Sequence, residues 1–314
     1  MKSSTIKVFA PATVANVAVG FDILGFAIHG PGDEIWVRAG AGKQPGLQIT
    51  QITGTGEKKL PLKPKKNTAG FAALGLLNEL GKSDLSIEME IHKQMPFGSG
   101  LGSSAASAAA GVMAINEFLG QPLAKKDLLP FAVAGEQVAD GAYHADNVGP
   151  SLLGGITFIR DNPTLDIHQL PVPSDLYACV VYPYVEILTK DSRNILSESN
   201  LLSQTIQQTG NLGALIIGLY ESNYALIGRA LTDAIIEPQR AKLIPNFTAV
   251  KKAALDNGAL GASISGAGPS CFALCQGKET ADKVAFAMQQ AFATTAIDSE
   301  VFVSAINTQG CIRI

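Results

Sequence analysis

One segment constrains the rest of the chain: Pro96-Phe97-Gly98-Ser99-Gly100-Leu101-Gly102-Ser103-Ser104-Ala105-Ala106. Before it, residues 85–91 alternate. Leu85, Ile87, Met89 and Ile91 face one way and Ser86, Glu88 and Glu90 the other, the period of a half-buried strand. After it, residues 103–119 read as a helix opening on two serines and an alanine run. The segment is therefore a strand-to-helix loop. Its glycines at 98, 100 and 102 let the backbone approach a ligand and take positive φ. The first N–H groups of a helix lack intrahelical partners, and that end of the dipole is positive, so loop and helix start together form an anion site. Ser104 adds a hydroxyl for a metal ion, and the alanines at 105–110 permit close packing under the loop. It is not a Walker A motif, because the Gly-Lys-Ser/Thr ending is missing. Nor is it a dinucleotide fingerprint, because no acidic residue ends a following strand. The plainer reading is a tight turn capped by serines. Three glycines, two serines and an alanine run together favour phosphate binding, with Pro96, Gly98, Ser99, Gly100, Leu101, Gly102, Ser103 and Ser104 as its candidates.

Length and composition narrow the setting. A chain of 314 residues, 46% hydrophobic and 16% charged, can bury a sizeable core and is long enough for two domains. A formal net charge of -3 without a long basic run argues against nucleic acid and anionic membrane as partners. Residues 1–7 lack a secretory apolar region, and the most apolar stretch, 105–115, is too short to span a bilayer. The spacing of Cys179, Cys271, Cys275 and Cys311 matches no zinc motif, and the expectation is four reduced core thiols in a cytoplasmic protein.

Along the chain, residues 7–10 read as a first strand, followed by a loop punctuated by Gly and Pro up to residue 32. Further strands are expected at 34–39, 47–53, 155–160, 177–182, 262–265, 271–275 and 300–306. Asn67 caps a helix to residue 79. Other helices are expected from 122–125 to 139, at 211–231, at 245–257 and at 280–292. Strands and helices mix without regular βαβ alternation, so the class is α+β. A Pro-rich connection at 170–174 lies near the domain boundary, and the expected division is 1–165 and 166–314.

The loop resembles the phosphate loop of the GHMP kinases. Pro11-Ala12-Thr13-Val14-Ala15-Asn16-Val17-Ala18-Val19-Gly20-Phe21-Asp22 resembles the N-terminal motif of the homoserine kinase branch, and Ser265-Gly266-Ala267-Gly268-Pro269-Ser270 the family's C-terminal glycine motif. His144-Ala145-Asp146-Asn147 and the stretch from Glu237-Pro238-Gln239-Arg240 to Asn246 fit as well, so the resemblance runs through nearly the whole chain in the expected order. It implies a two-domain fold, with a ribosomal protein S5 domain 2-like N-terminal domain that binds ATP and a ferredoxin-like C-terminal domain. It implies Mg-ATP-dependent phosphorylation of a small alcohol, L-homoserine in that branch, and a possible homodimer.

Roles follow residue by residue. Glu136 and Ser104 would serve Mg, and Asn147 would orient the attacking hydroxyl. Asp146 is a candidate base, although the branch is thought to lack a clear one. Asn16, Asp22, His144, Thr189, Arg193 and Arg240 would hold the amino-acid substrate, whose carboxylate suits the arginine fork. Asn67 borders the adenine or simply caps its helix. Lys93 reaches a phosphate or is an exposed strand-end lysine. Without the resemblance, Glu136 would read as a solvated helix glutamate, and Arg193 and Arg240 as surface partners of Asp191 and Glu237. The N-terminal motif departs from the branch at Val14 and at Ala18-Val19, usually Ser and Gly-Pro, which bears on loop shape. Two rival readings are another GHMP kinase, such as a mevalonate kinase, and a catalytically silent nucleotide sensor. The arginine pair argues against the first, and the presence of both Glu136 and Asn147 against the second.

Overall fold

The computed structural model describes residues 5–40, 45–56, 58–141 and 143–314. Its first sheet holds β1 (Ile6–Ala15), β2 (Leu24–Ala39), β3 (Gly46–Thr53), β4 (Ser86–His92), β5 (Ile156–Asp161) and β6 (Asp166–Leu170). Four helices accompany it: α1 (Thr68–Glu79), α2 (Ser103–Phe118), α3 (Leu129–Asp140) and α4 (Val148–Leu153). β4 buries the side its alternation marks, with Ile87, Met89 and Ile91 almost fully enclosed. The alanine run of α2 is equally enclosed, and a Cβ on Gly111 would meet the Ala69 carbonyl oxygen at 2.6 Å. Small side chains thus let α2 lie directly against α1.

The loop expected between residues 10 and 32 is much shorter than that. β1 continues to Ala15 and β2 begins at Leu24, leaving residues 16–23 as the turn. The breaker residues sit at an irregularity in the pairing, where register shifts between Pro11 and Thr13 and Pro11 faces Gly32. Proline survives in a strand at such bulges because no ladder donor is needed there.

The second sheet runs β10-β7-β9-β8, all antiparallel, from β7 (Leu176–Pro183), β8 (Gly261–Ile264), β9 (Cys271–Gln276) and β10 (Ser299–Ala305). Between and after these strands come α5 (Thr189–Asn194), α6 (Leu202–Glu221), α7 (Tyr224–Ala230), α8 (Glu237–Arg240), α9 (Phe247–Asp256) and α10 (Lys278–Ala293). Strand order and connectivity are those of the ferredoxin-like β-α-β-β-α-β arrangement. Val250 of α9 and Val284, Met288 and Phe292 of α10 cover one face of this sheet. Val180, Phe272 and Leu274 on the other face join the core of the first sheet, where Phe272 meets Phe26 edge-on at 6.0 Å. The last strand, β11 (Ile312–Arg313), returns to the first sheet and pairs with β1. β5 and β6 form a hairpin within the first sheet, so the expected division at 165/166 falls inside that hairpin. The crossover to the second sheet lies between Leu170 and Leu176.

The helix expected at 211–231 is two helices. α6 starts earlier, at Leu202, and the chain turns at Ser222 (φ 52°) before Asn223 caps α7 through the Leu226 N–H. All four cysteines are free and buried. Among the described residues, no helix is long and apolar enough to cross a membrane.

Candidate active site

The loop between β4 and α2 takes the backbone its glycines permit, with φ of 62°, 77° and 69° at Gly98, Gly100 and Gly102. Gly102 is the residue before the first turn of α2. A Cβ there would lie 2.2 Å from Thr13 Oγ1 and 2.7 Å from Asn147 Oδ1, so the close approach as well as the left-handed backbone requires glycine. The C-terminal glycine segment braces the loop from behind. Ser265 Oγ donates to the Gly100 carbonyl at 2.6 Å, and the Ser270 N–H donates to the Ser99 carbonyl at 3.1 Å. Within the loop, Ser99 Oγ donates to the Pro96 carbonyl, and the Leu101 carbonyl accepts from the Thr13 N–H at 3.0 Å. Pro96 and Leu101 therefore shape the loop from beneath, and neither lines the cleft in front of it.

That cleft, about 430 Å³, is bordered by Asn67, Gly98, Ser103, Ser104 and Glu136. Asn67 both caps α1, accepting from the Gly70 N–H at 3.2 Å, and forms the cleft wall. Ser103 Oγ is buried there without a hydrogen-bond partner among the described residues, an arrangement that fits a ligand acceptor. Lys93 is not the exposed strand-end lysine that its position in the sequence allows. It is buried, ion-paired with fully buried Asp33, and donates to Ser107 Oγ and to the Ser103 carbonyl, each at 2.8 Å. The pair lies beneath the first turn of α2, where the Lys93 bonds to Ser103 and Ser107 hold the helix start in place.

A second cavity, about 50 Å³, adjoins the first. It gathers Asn16, Asp22, His144, Asp146, Asn147, Thr189, Arg193 and Arg240, residues far apart in sequence. The turn of residues 16–23 supplies two of them. Asn16, Val17 and Ala18 are all left-handed (φ 71°, 41° and 61°), a costly backbone for a valine. Cross-links hold it there. Asn16 Nδ2 donates to the Gly266 carbonyl at 2.9 Å, Asn16 Oδ1 accepts from the Asp22 N–H at 3.0 Å, and Gln208 Nε2 donates to the Val19 carbonyl.

Neither arginine has the local partner that sequence proximity offers. Arg193 grips Asp22 with both terminal nitrogens, at 3.0 and 2.9 Å, while Asp191 is exposed. Arg240 is only 3% exposed and donates to the Ser192 and Gly266 carbonyls at 3.0 and 2.9 Å, while Glu237 pairs with Lys251. The ring of Phe21 lies beside both guanidinium groups, with their central carbons 5.3 and 5.0 Å from its centroid. Burial first, then the neighbouring Arg193, lowers the Arg240 pKa to about 10. The cation persists at neutral pH but is short of counter-charge, so an anion entering the pocket would relieve it.

The two cavities meet at Glu136, Asn147 and Thr189, which line both. Here Ser104 Oγ donates to Glu136 Oε1 at 2.7 Å, which sets a hydroxyl and a carboxylate of hard oxygens side by side. Glu136 is largely buried, not a solvated helix glutamate. Asn147 Oδ1 accepts from the hydroxyl of fully buried Thr13 at 2.7 Å. Every expected substrate-side residue thus reaches one pocket. Sequence reasoning missed Thr13, Phe21, Asp33 and Ser107. Thr13 and Phe21 stood inside a motif already singled out, whereas nothing near Asp33 marks it as the partner of a lysine sixty positions on. Of the turn that ends in His144, Ala142 lies outside the described residues.

Comparison with known proteins points to one family along the chain. Residues 67–155 match the GHMP kinases N terminal domain, and residues 215–294 match GHMP kinases C terminal. Homoserine kinase of Chlorobium phaeobacteroides is 48% identical over 98% of both chains. A crystal structure of homoserine kinase from Cytophaga hutchinsonii superposes with a TM-score of 0.96 at 52% identity, covering 100% of this chain and 98% of that one. Mevalonate kinase from L. major, in complex with R-mevalonate, shares the fold at a TM-score of 0.73 and 17% identity, over 97% of each chain.

Proposed function

The chain belongs to the GHMP kinases, and we propose that it transfers the γ-phosphoryl group of ATP to the terminal hydroxyl of L-homoserine, giving O-phospho-L-homoserine, a precursor of threonine. One observation carries this reading. A cleft faced by a phosphate-type loop opens, at Asn147, into a small pocket holding two arginines and the carboxylates of Asp22 and Asp146. A zwitterion suits that pocket, with its carboxylate toward Arg193 and Arg240 and its ammonium toward Asp22. Arg193 and Asp22, which both line this pocket, hold each other in an ion pair, and an incoming amino acid would exchange both halves of that pair for its own charges.

In the transfer, the hydroxyl oxygen bonds to the γ-phosphorus, the bond to the β-phosphate oxygen breaks, and ADP leaves. A loose transition state asks chiefly for placement and charge neutralisation. The N–H groups at the start of α2, with Ser103 beside them and Lys93 bracing the Ser103 carbonyl from beneath, would receive the phosphates. Asn147, its carbonyl oxygen held by Thr13, would present its amide to the γ-phosphate and the hydroxyl. Asp146, buried in the same pocket, would be the candidate to take the proton, and without a base the proton would pass to solvent or to the transferred phosphoryl group. Magnesium fits Glu136 and Ser104, a carboxylate and a hydroxyl in contact at the rim of the phosphate loop. When bound there it would neutralise charge between the β- and γ-phosphates.

A coupled assay of ADP release tests the proposal with homoserine, mevalonate, galactose and no acceptor. Homoserine is expected to exceed the others at least tenfold in kcat/KM, about 1.4 kcal/mol of transition-state preference. Equal turnover of mevalonate would favour a different GHMP activity, and no acceptor-dependent turnover at all would favour a nucleotide sensor.

Thr13 gives a finer test. Thr13→Val keeps the shape but removes the donor to Asn147. The expected result is a fall in kcat of about tenfold, the worth of one well-made hydrogen bond, with smaller changes in either KM. Thr13→Ser, which keeps the hydroxyl, should return most of it. If valine and serine behave alike, the hydroxyl does not position Asn147.

A further inference from the structure

The stretch that leads into α1 is charged against its own helix. Residues 58–66 read Lys-Lys-Leu-Pro-Leu-Lys-Pro-Lys-Lys, five lysines in nine positions. Outside this stretch no nine-residue window holds more than two Lys or Arg, and the chain as a whole has a formal net charge of -3. Glu57, just before the stretch in sequence, offsets one of the five charges at most. All five lysines are exposed. Lys63, Lys65 and Lys66 precede the N-terminal end of α1, whose first turn holds no acidic residue. That end of a helix dipole is positive and is stabilised by acids, so lysines there oppose the helix. Lys58 pairs with Glu186, whereas Lys59, Lys63, Lys65 and Lys66 have no acidic partner among the described residues. Like charges held side by side repel one another, and neither the helix nor an ion pair compensates them here.

The stretch is also fixed in place. Pro61 and Pro64 restrict its backbone. Asn67 Nδ2 donates to the Pro61 carbonyl and the Asn67 N–H to the Pro64 carbonyl, each at 3.1 Å. A Cβ on Gly70 of α1 would come within 2.7 Å of Pro64 Cα, so the stretch packs directly on the helix. Its apolar members turn inward: Leu60 and Pro61, with Lys66, line the larger cleft together with the phosphate loop. Lys59, Lys63 and Lys65 do not line that cleft and stand on the solvent side of the same wall. Exposed charges in such a place give little binding energy at contact, but their field reaches about 10 Å at 0.1 M salt. A cleft edged by one sign of charge can raise the association rate of an oppositely charged ligand by about ten- to a thousandfold. The anion whose place lies behind this wall is the polyphosphate of a nucleotide.

We propose that Lys59, Lys63 and Lys65 form a capture strip that draws the polyphosphate of ATP toward the cleft and sets the rate of nucleotide association without touching the bound nucleotide. The proposal rests on the reading of the cleft as an ATP site, and its test omits the acceptor, so the identity of the alcohol does not enter. Stopped-flow fluorescence with a ribose-labelled ATP analogue and magnesium measures association and dissociation on the full chain. The combined Lys59→Gln, Lys63→Gln, Lys65→Gln variant should associate about fivefold more slowly at about 20 mM salt. Glutamate at the same three positions should slow association about 25-fold, twice the change on a logarithmic scale, because twice the charge is altered. Dissociation should stay at the wild-type rate, and all association rates should converge within about twofold at about 0.5 M salt. A control combines Lys252→Gln, Lys278→Gln and Lys283→Gln, which remove the same formal charge from exposed positions of α9 and α10, the helices on the face of the second sheet turned away from the first. It should associate within about twofold of wild type. All six positions are exposed, so melting temperatures should stay near that of wild type. Unchanged association in both strip variants overturns the proposal. So does equal slowing in the control, which would credit net charge, and so does a loss that persists at high salt, which would credit direct contact. A wild type that binds no nucleotide would overturn the ATP cleft as well. Nucleotide binding at the expected rates without turnover of homoserine would support the strip and remove only the acceptor.

Discussion

Gly102→Ala is expected to lower kcat by about a hundredfold or more while leaving a folded protein. Alanine meets two objections at this position. The backbone φ of 69° costs a residue with a Cβ on the order of 1 kcal/mol. The larger objection is steric, since the new carbon would sit 2.2 Å from Thr13 Oγ1 and 2.7 Å from Asn147 Oδ1. Those two atoms form the hydrogen bond that fixes Asn147. Something must move, and the choices are the start of α2, β1 at Thr13, or Asn147 itself. β1 is tied into the sheet and Thr13 is fully buried, so most of the displacement is expected in the loop and in Asn147. A misplacement of about 1 Å between reacting groups is enough for a loss of this size. Steady-state kinetics with ATP and homoserine, beside a thermal melt, read the outcome. A variant that melts near wild type with kcat reduced and modest KM changes agrees with displacement at the junction of the two cavities. Unchanged kcat would mean that neither Thr13 nor the first turn of α2 has to sit where it does for the reaction.

The residues that make this junction were unequally legible in the sequence. The loop declared itself, because glycine spacing, serines and alanine run are local features read off adjacent positions. The same holds for β4, whose period is uninterrupted, and for the cap of α1 at Asn67. Long β1 and β2 were hidden by Pro11 and by Gly30-Pro31-Gly32, residues that ordinarily end strands but here mark a bulge within them. Short elements such as α4, α5, β6 and β11 are below the length at which a period can be recognised.

Side-chain partners were the least legible part. Proximity in sequence suggested Asp191 for Arg193 and Glu237 for Arg240. The fold instead brings Asp22 across to Arg193 from the turn after β1, and gives Arg240 two backbone carbonyls. Thr13 and Asn147 are likewise 134 positions apart. Such pairs are set by how the sheets stack, which single-residue preferences do not encode. The resemblance to GHMP kinases gathered the right residues for the small pocket, but it did not show that Arg193 and Asp22 would hold each other there.

That arrangement alters what should follow from Arg240→Lys. The guanidinium is both a strut and a candidate ligand. Its Nε and one terminal nitrogen satisfy the Ser192 and Gly266 carbonyls, and the Gly266 carbonyl also accepts from Asn16. Lysine brings one nitrogen in place of a planar fork, and it cannot span two carbonyls and still meet a carboxylate. A buried carbonyl left short of its donor costs about 1–3 kcal/mol, so the melting temperature should fall. Loss of a charge-assisted bond to substrate costs on the order of 1.5–3 kcal/mol, a fall of roughly 10- to 150-fold in kcat/KM for homoserine. The KM for ATP should move little, because Arg240 does not line the larger cleft. Arg193→Lys is the matched control. Its side chain is 40% exposed and bonds to Asp22 rather than to buried backbone, so it should lower homoserine kcat/KM at little cost in stability. Titration enters the comparison through burial. With a pKa lowered only to about 10, Arg240 is charged throughout an assay at pH 7–8, whereas the same burial acts on a lysine from a lower ordinary value, so the two enzymes are compared across a pH series. If Arg240→Lys melts lower yet gives an unchanged homoserine curve, the guanidinium is a strut alone and the substrate carboxylate rests on Arg193. A fall in homoserine kcat/KM with ATP saturation preserved places both arginines on the substrate.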